Sequence, residues 1–142
     1  MVGESRWKMI EQLDEELLKG SVIVSEWCAF IVREADIAFV GEAHLATIVT
    51  ATAGIETYLR SEYEFNSRET LFAMIEQASI EEGLRSDIHA LRKFRNRWVH
   101  VADPGDNAGL LDDPVTYEQE LEDMAWLAVR TLRRVIYQNQ WV

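Results

Sequence analysis

Residues 84–100 read LRSDIHALRKFRNRWVH, and the spacing of their apolar side chains predicts an amphipathic helix. At about 100° per residue, those side chains fall on one broad face. They are Leu84, Ile88, Leu91, Phe94, Trp98 and Val99. Arg95 falls inside the same face, so its guanidinium points toward the core or a partner surface. A charge there needs a counter-ion or hydrogen-bond acceptors.

This helix also concentrates the positive charge of an acidic chain. Five of the 14 lysine and arginine residues lie between positions 85 and 97, namely Arg85, Arg92, Lys93, Arg95 and Arg97. The net charge of −11 argues against loose, whole-surface binding to nucleic acid, because phosphate contacts dominate that affinity. A charge cluster is usually a solvated helix face, but a local basic site in an acidic frame stays open.

The rest of the chain has helical rather than strand periodicity. We predict helices over about 7–18, 21–40, 42–63 and 86–100, a further helix after Asn66, and a last one begun by a capping box at Thr116 and Gln119. Residues 101–115, VADPGDNAGLLDDPV, predict a loop. The expected fold is all-α, an antiparallel bundle of four long helices with one or two additional helices.

Three of these helices supply core candidates or a packing surface. In the second helix the apolar residues expected in the core are Ile23, Trp27, Phe30, Ile31 and Ile37. In the fourth they are Leu71, Phe72 and Ile75. The third helix is rich in small residues, which favours the close approach of another helix. They are Ala46, Thr47, Thr50, Ala51, Ala53 and Gly54.

Length and composition are those of an ordinary globular protein. With 142 residues, 48% of them apolar and 27% charged, we expect one domain spanning residues 1–142. A single cysteine, Cys28, excludes an internal disulfide and fits a reducing cytoplasm. The weakly polar stretch AHLATIVTATAGI is too short to span a bilayer, and the acidic, amphipathic N-terminus does not resemble a targeting peptide. We therefore expect a cytoplasmic protein without a membrane partner.

The third helix contains a carboxylate that matches Arg95. Glu56 lies beside Thr52, within the arc of that helix formed by its apolar residues. A pair between Glu56 and Arg95 on neighbouring helices is therefore expected. Such a pair is either a structural salt bridge that fixes helix register, or a device that orients Arg95 at the mouth of a polar cleft.

Arg95, Asn96 and His100 form the pattern R-N-x-x-x-H at the end of a predicted helix. In an all-α chain this pattern resembles the signature of the HEPN superfamily. Upstream, EADIAFVGEAHLATIVTATAGIETYLR is similar to the region of that family with an acidic and aromatic segment, a glycine and a small-residue helix that ends in a glutamate. The resemblance covers about residues 35–101.

The resemblance implies a helical domain that commonly forms homodimers and is often a metal-independent endoribonuclease, frequently a toxin or antiviral effector. His100 would then act as general acid or base, and Arg95 would hold the scissile phosphate. Asn96 would orient these groups, while Arg92, Lys93 and Arg97 would bind the flanking RNA backbone. No metal or other cofactor is expected, and an antitoxin or other protein partner is possible.

The spacing of the motif sets a geometric condition. On a continuous helix, Arg95 and His100 point about 140° apart. They share one phosphate if the helix unwinds before His100, near Ala102-Asp103-Pro104, or if two subunits form the cleft. Some HEPN toxins paired with a nucleotidyltransferase antitoxin carry a tyrosine where this chain has Ala102, so that subtype is disfavoured.

Other residues give weaker signals. His44 and His89 are isolated histidines without a ligand cluster, so metal binding is not predicted, and Cys28 is expected in the core. Three interpretations stay open: an active ribonuclease, a non-catalytic HEPN module that dimerises and binds nucleotide, RNA or protein, and a purely structural bundle. The acidic charge favours the second, and the intact motif favours the first.

Overall fold

The computed structural model describes residues 2–99 and 113–141, and these residues form six α-helices. They are α1 (Val2–Leu17), α2 (Glu26–Val40), α3 (His44–Glu62), α4 (Leu71–Gln77), α5 (Glu82–Val99) and α6 (Pro114–Ile136). The described residues contain no β-strand, apart from an isolated bridge between Ser21 and Trp141. The prediction of an all-α fold is confirmed.

Helices α3 and α6 form the centre of the packing. Helix α3 packs most extensively against α6 and α2, while α5 packs against α6 and α3. Helix α1 lies against α2 and α6, and the short α4 lies against α5 and α3. At Gly54 of α3, a Cβ atom would come within 3.2 Å of both Ile31 and Leu132. A small residue at this position is therefore what allows α2 and α6 to approach α3 so closely.

Two helices begin at other residues than predicted. Helix α2 begins at Glu26 rather than near residue 21, since the Ser25 side chain accepts a hydrogen bond from the Cys28 backbone. Helix α6 begins at Pro114, whose missing N–H and fixed φ suit the first helical position. The predicted capping box is therefore wrong: Thr116 lies inside the helix and donates to Asp113.

The core prediction for α2 is largely wrong. Ile23, Trp27, Phe30 and Ile37 are all exposed, and Phe30 has 53% of its surface accessible. The helix instead buries the face that carries Cys28, Ala35, Asp36 and Phe39. Because α2 has apolar residues on both faces, periodicity alone does not select the face that packs against α3.

A buried ion network joins three helices. Arg133 of α6 is 1% exposed, and its guanidinium makes two hydrogen bonds to Asp36 of α2, at 2.8 and 2.7 Å. It also donates to Asp14 of α1 at 2.7 Å, and the Tyr137 hydroxyl donates to the same carboxylate at 2.8 Å. Bidentate geometry of this kind is the strongest form of a charged hydrogen bond. The network therefore fixes α1 and α2 against α6.

Burial disfavours the charged forms of both Asp36 and Arg133, and their mutual hydrogen bonds favour them. Burial raises the pKa of Asp36, because the nearby Arg133 only partly offsets the lost solvation. Burial also disfavours the charged form of Arg133, yet its hydrogen bonds to Asp36 and Asp14 raise its pKa above the ordinary value. Arg133 therefore stays protonated, and its charge is what keeps two carboxylates compatible with this packing.

Arg6 provides a second attachment of α1. Its Nε donates to the Phe39 carbonyl at 2.7 Å, and its guanidinium lies 3.9 Å from the centroid of the Phe39 ring. Its Nη1 group donates to Glu122 of α6 at 3.1 Å. Polar contacts thus hold α1 to α2 and α6 in two places.

Among the described residues, no helix combines the length and apolar character needed to cross a membrane.

Replacing Arg133 by methionine should strongly destabilise the fold, because the buried Asp36 loses the cation that compensates its charge and the partly exposed Asp14 loses its partner. We expect Arg133→Met to lower the free energy of unfolding by about 3–5 kcal/mol, measured by urea denaturation. Arg130→Met is the matched control, since Arg130 also pairs from α6 to α1, at the exposed Glu16. Its loss should be much smaller, and similar losses in both variants would contradict a special role for Arg133.

Candidate functional site

The basic residues of α5 have different contact partners. Arg85 contacts the C-terminal end of α4. Its guanidinium donates to the carbonyl oxygens of Ile75, Ala78 and Ile80, at and beyond the C-terminal end of α4. These acceptors satisfy carbonyls that a helix end leaves without partners. Arg85 therefore anchors α4 on α5 and has little remaining capacity for a ligand.

Arg95 lies between Asn96 and Glu56. The Asn96 side-chain oxygen accepts from Arg95 Nε at 3.2 Å and from Nη2 at 2.9 Å. The Nη1 atom of Arg95 lies 3.9 Å from Glu56 Oε2, so the pair expected between α3 and α5 is present. The Arg95 side chain is 18% exposed, which places it at the edge of the core rather than inside it. The charge is thus oriented but still accessible.

Glu56 is shared between two arginines. Arg60, one turn later on α3, places Nη2 at 3.4 Å from Glu56 Oε1. Arg60 also donates to the carbonyls of Asn66 and Glu69, in the segment between α3 and α4. A chain of polar contacts therefore connects that segment through α3 to Arg95. The position of the Arg95 guanidinium depends on all of these groups.

The arrangement around Arg95 suits the binding of an anion. Nε and Nη2 are oriented by the Asn96 oxygen, while Nη1 has no hydrogen-bond acceptor among the described residues. A guanidinium with free N–H groups can bind a phosphate in a forked geometry. Since Asn96 is neutral, it orients the arginine without cancelling its charge. Among the described residues, the carboxylate that opposes anion binding at Arg95 is Glu56, at 3.9 Å.

Arg97 has a different environment from Arg95. It donates to Glu120 of α6 at 2.9 Å and is 54% exposed. Its guanidinium also lies 4.8 Å from the centroid of the Phe94 ring. A carboxylate therefore partly compensates the charge of Arg97, whose role in binding RNA stays a prediction.

Arg92 and Lys93 line a groove between α4 and α5. Its other lining residues include Phe72, Glu76 and His89, and its volume is about 470 Å³. Phe72 was expected in the core with Leu71 and Ile75, but it is 51% exposed while those two are buried. The sequence pattern does not distinguish it, because all three are apolar residues of one short helix. The groove brings two predicted RNA-binding residues next to an exposed aromatic ring.

The third residue of the motif, His100, lies outside the described residues. The structure describes α5 as far as Val99, the residue that precedes His100 in the sequence. The predicted loop at 101–112, with Ala102, Asp103 and Pro104, also lies outside them. Both proposed ways of bringing His100 to Arg95, helix unwinding and a cleft between subunits, therefore stay predictions.

The remaining candidates have structural surroundings. His44 is buried at the start of α3, and Cys28 is buried beside a pocket of about 290 Å³ that Trp27 and Tyr58 also line. Burial raises the pKa of Tyr58 to about 12, so this phenol stays protonated at neutral pH. Across residues 2–99 and 113–141, no three histidine, cysteine or acidic side chains are placed to hold a metal ion together.

No protein-family model, curated protein or solved structure matches this chain. The resemblance to HEPN domains therefore rests on the residues of the chain itself: the Arg95-Asn96 pair, His100 and the upstream segment with Glu56.

Neutralising Glu56 should change stability only slightly. The pair with Arg95 is long and partly exposed, and such pairs contribute about 1 kcal/mol or less. We expect Glu56→Gln to lower the free energy of unfolding in urea by no more than this. Glu62→Gln, at an exposed position of the same helix, is the control. A loss of several kcal/mol for Glu56→Gln alone would show that the pair is a buried structural salt bridge.

Proposed function

We propose that this chain is a metal-independent endoribonuclease of the HEPN type, in which Arg95 and His100 act on RNA. The observation that carries the proposal is the environment of Arg95. Its guanidinium is oriented by Asn96 and Glu56, keeps Nη1 free of hydrogen-bond acceptors among the described residues, and precedes His100 by five positions. An arginine held in this way suits phosphate binding better than a merely structural role.

The reaction needs only groups that RNA and the motif provide. The 2′-oxygen of the ribose attacks the adjacent phosphorus, and the bond from phosphorus to the 5′-oxygen of the next nucleotide breaks. The products are a 2′,3′-cyclic phosphate and a free 5′-hydroxyl. A histidine titrates near neutrality, so His100 can take the proton of the 2′-hydroxyl or give one to the leaving oxygen. Arg95 stabilises the charge that develops on the phosphoryl oxygens.

The proposal includes the architecture and partners that the resemblance implies. In it, α2, α3, α5 and α6 form the antiparallel HEPN-like bundle, and α1, which is as long as α2, and the short α4 are additional helices. The chain forms a homodimer in the cytoplasm, and the two Arg95 and His100 pairs border one cleft. An antitoxin or another protein partner would restrain an active enzyme of this kind.

Cleavage of RNA in the presence of EDTA tests the enzyme directly. The wild-type protein should yield cyclic-phosphate ends, while Arg95→Ala and His100→Ala should each lower the single-turnover rate by about 100-fold or more. Arg68→Ala, at an exposed position between α3 and α4, should cleave as fast as the wild type. Equal cleavage by all four proteins would show a contaminating nuclease and contradict the proposal.

A second candidate is a non-catalytic HEPN module that binds RNA, nucleotide or a protein. The net charge of −11 favours it, since a free ribonuclease benefits from a basic surface. The compensation of Arg97 by Glu120 points the same way. If the chain has this second function, the wild-type protein will leave RNA intact in the cleavage experiment and will still bind it.

A further inference from the structure

We propose that the groove between α4 and α5 is a binding site for one unpaired nucleotide of an RNA strand, next to the Arg95 site. This inference rests on the proposed function, because it names the form of RNA that the same face of α5 would take. We call this site the α4–α5 groove. Its residues are Phe72, Glu76, Ser86, His89, Arg92 and Lys93.

The aromatic part of the groove can hold a base. Phe72 is 51% exposed at the start of α4, although the neighbouring Leu71 is buried. The Arg92 guanidinium lies 5.2 Å from the centroid of the Phe72 ring, and the His89 ring lies at the same centroid distance, tilted by 43°. These groups support the ring and leave part of it open. Every base has a π-face, so an open ring of this kind binds bases with little sequence preference.

The basic part of the groove can hold a phosphate. Arg92 donates to His89 Nδ1 at 3.3 Å, and no carboxylate of the described residues forms an ion pair with Arg92 or with Lys93. Arg85, Arg95 and Arg97 on the same helix each have a carboxylate within 4.0 Å. The charges of Arg92 and Lys93 are therefore less compensated, and Lys93 is exposed to solvent.

Glu76 decides which side of the groove receives the phosphate. Its carboxylate lies on α4, with Oε1 at 3.3 Å from His89 Nε2. His89 Nδ1 accepts from Arg92, so in the neutral imidazole the proton is on Nε2, which makes no hydrogen bond among the described residues although Glu76 is near. A phosphate on the α4 side would meet this negative charge. The phosphate should therefore lie over Arg92 and Lys93, with the base over Phe72.

The exposed ring of Phe72 favours a single strand over a duplex. The groove is open to solvent, with a volume of about 470 Å³. Stacking on Phe72 needs a base whose face is not covered by a neighbouring base pair. Sequence-independent binding of unpaired strands combines these two elements, an aromatic platform and a basic track for the backbone.

The α4–α5 groove lies next to Arg95 along α5, so one RNA strand can contact both. Arg92 precedes Arg95 by three residues and Lys93 precedes Asn96 by three, a separation of roughly 4.5 Å along the helix axis. Residues three apart are neighbours on a helix surface. A strand with one nucleotide in the groove would therefore direct an adjacent phosphate to Arg95.

Binding of a short fluorescein-labelled oligouridylate, followed by fluorescence anisotropy, tests the groove. All variants carry His100→Ala so that the strand stays intact. Phe72→Ala should weaken binding by at least about fivefold, and Phe72→Trp should retain it, since stacking accounts for the difference. Lys93→Ala should weaken binding and reduce its dependence on salt by about one phosphate contact. Glu76→Gln should tighten it.

Two matched controls separate the groove from general surface effects. Phe30→Ala removes a phenylalanine of almost equal exposure from α2, at 53% against 51%, and Lys8→Ala removes an exposed lysine from α1. Neither should change binding. The oligomeric state of each variant is measured by light scattering, so that a change in assembly is not mistaken for a lost contact.

The results distinguish the groove from the proposed enzyme. The proposed nucleotide site is wrong if Phe72→Ala binds as tightly as its parent, or if an RNA duplex binds as well as the single strand. This conclusion holds even when the protein without the His100 change cleaves RNA. If that protein cleaves nothing but Phe72→Ala weakens binding, the ribonuclease fails and the groove stands, as a site of a binding module.

Discussion

The guanidinium of Arg133 is the charge on which the packing of this protein depends. It is inaccessible to solvent, and three helices meet around it, because Asp14 comes from α1 and Asp36 from α2. The buried Asp36 would be costly without this cation, and the cation would be costly to bury without its two carboxylate partners, of which Asp14 stays 38% exposed. Such a network adds directional contacts to an otherwise apolar core. It therefore specifies how α1 and α2 lie on α6, where apolar packing alone would tolerate several arrangements.

The cations of α5 differ from Arg133 in their exposure to solvent. Each cation of this helix that has a carboxylate partner keeps part of its side chain in solvent. At one end Arg85 binds backbone carbonyls, and at the other Arg97 binds Glu120. Between them, Arg92 and Lys93 have no carboxylate partner among the described residues, and the partly buried Arg95 has a long contact with Glu56. An acidic protein thus has a short basic strip on one helix, and in the proposed function this strip is what binds RNA.

Much of the fold could be predicted from the sequence, because helical periodicity depends on neighbours three and four positions apart. The heptad-like spacing of Leu84, Ile88 and Leu91 specified the buried face of α5 without any long-range information. The face of α2 could not be predicted in this way. Its apolar residues lie on more than one face, and Phe39 rather than Phe30 is buried, with its ring 5.6 Å from that of Trp126 in α6.

The candidate site was predicted in part for the same reason. Arg95 and Glu56 were each recognisable as charges within apolar arcs, so their pairing across α3 and α5 could be expected before the helices were placed. Phe72 gave no such signal, since an exposed phenylalanine and a buried one look alike in a short apolar segment. Asp36 and Arg133 also interrupt apolar patterns. They are 97 positions apart in the chain, so local spacing does not show that they pair.

The sequence by itself determined the helices, the buried face of α5 and the unusual position of Arg95, because these depend on local spacing and side-chain chemistry. Only the tertiary structure decided which face of α2 is buried, which cations have partners, and that Phe72 stands beside Arg92 and Lys93. Those outcomes depend on contacts between residues far apart in the chain. Such contacts form once the helices pack, and no local pattern encodes them.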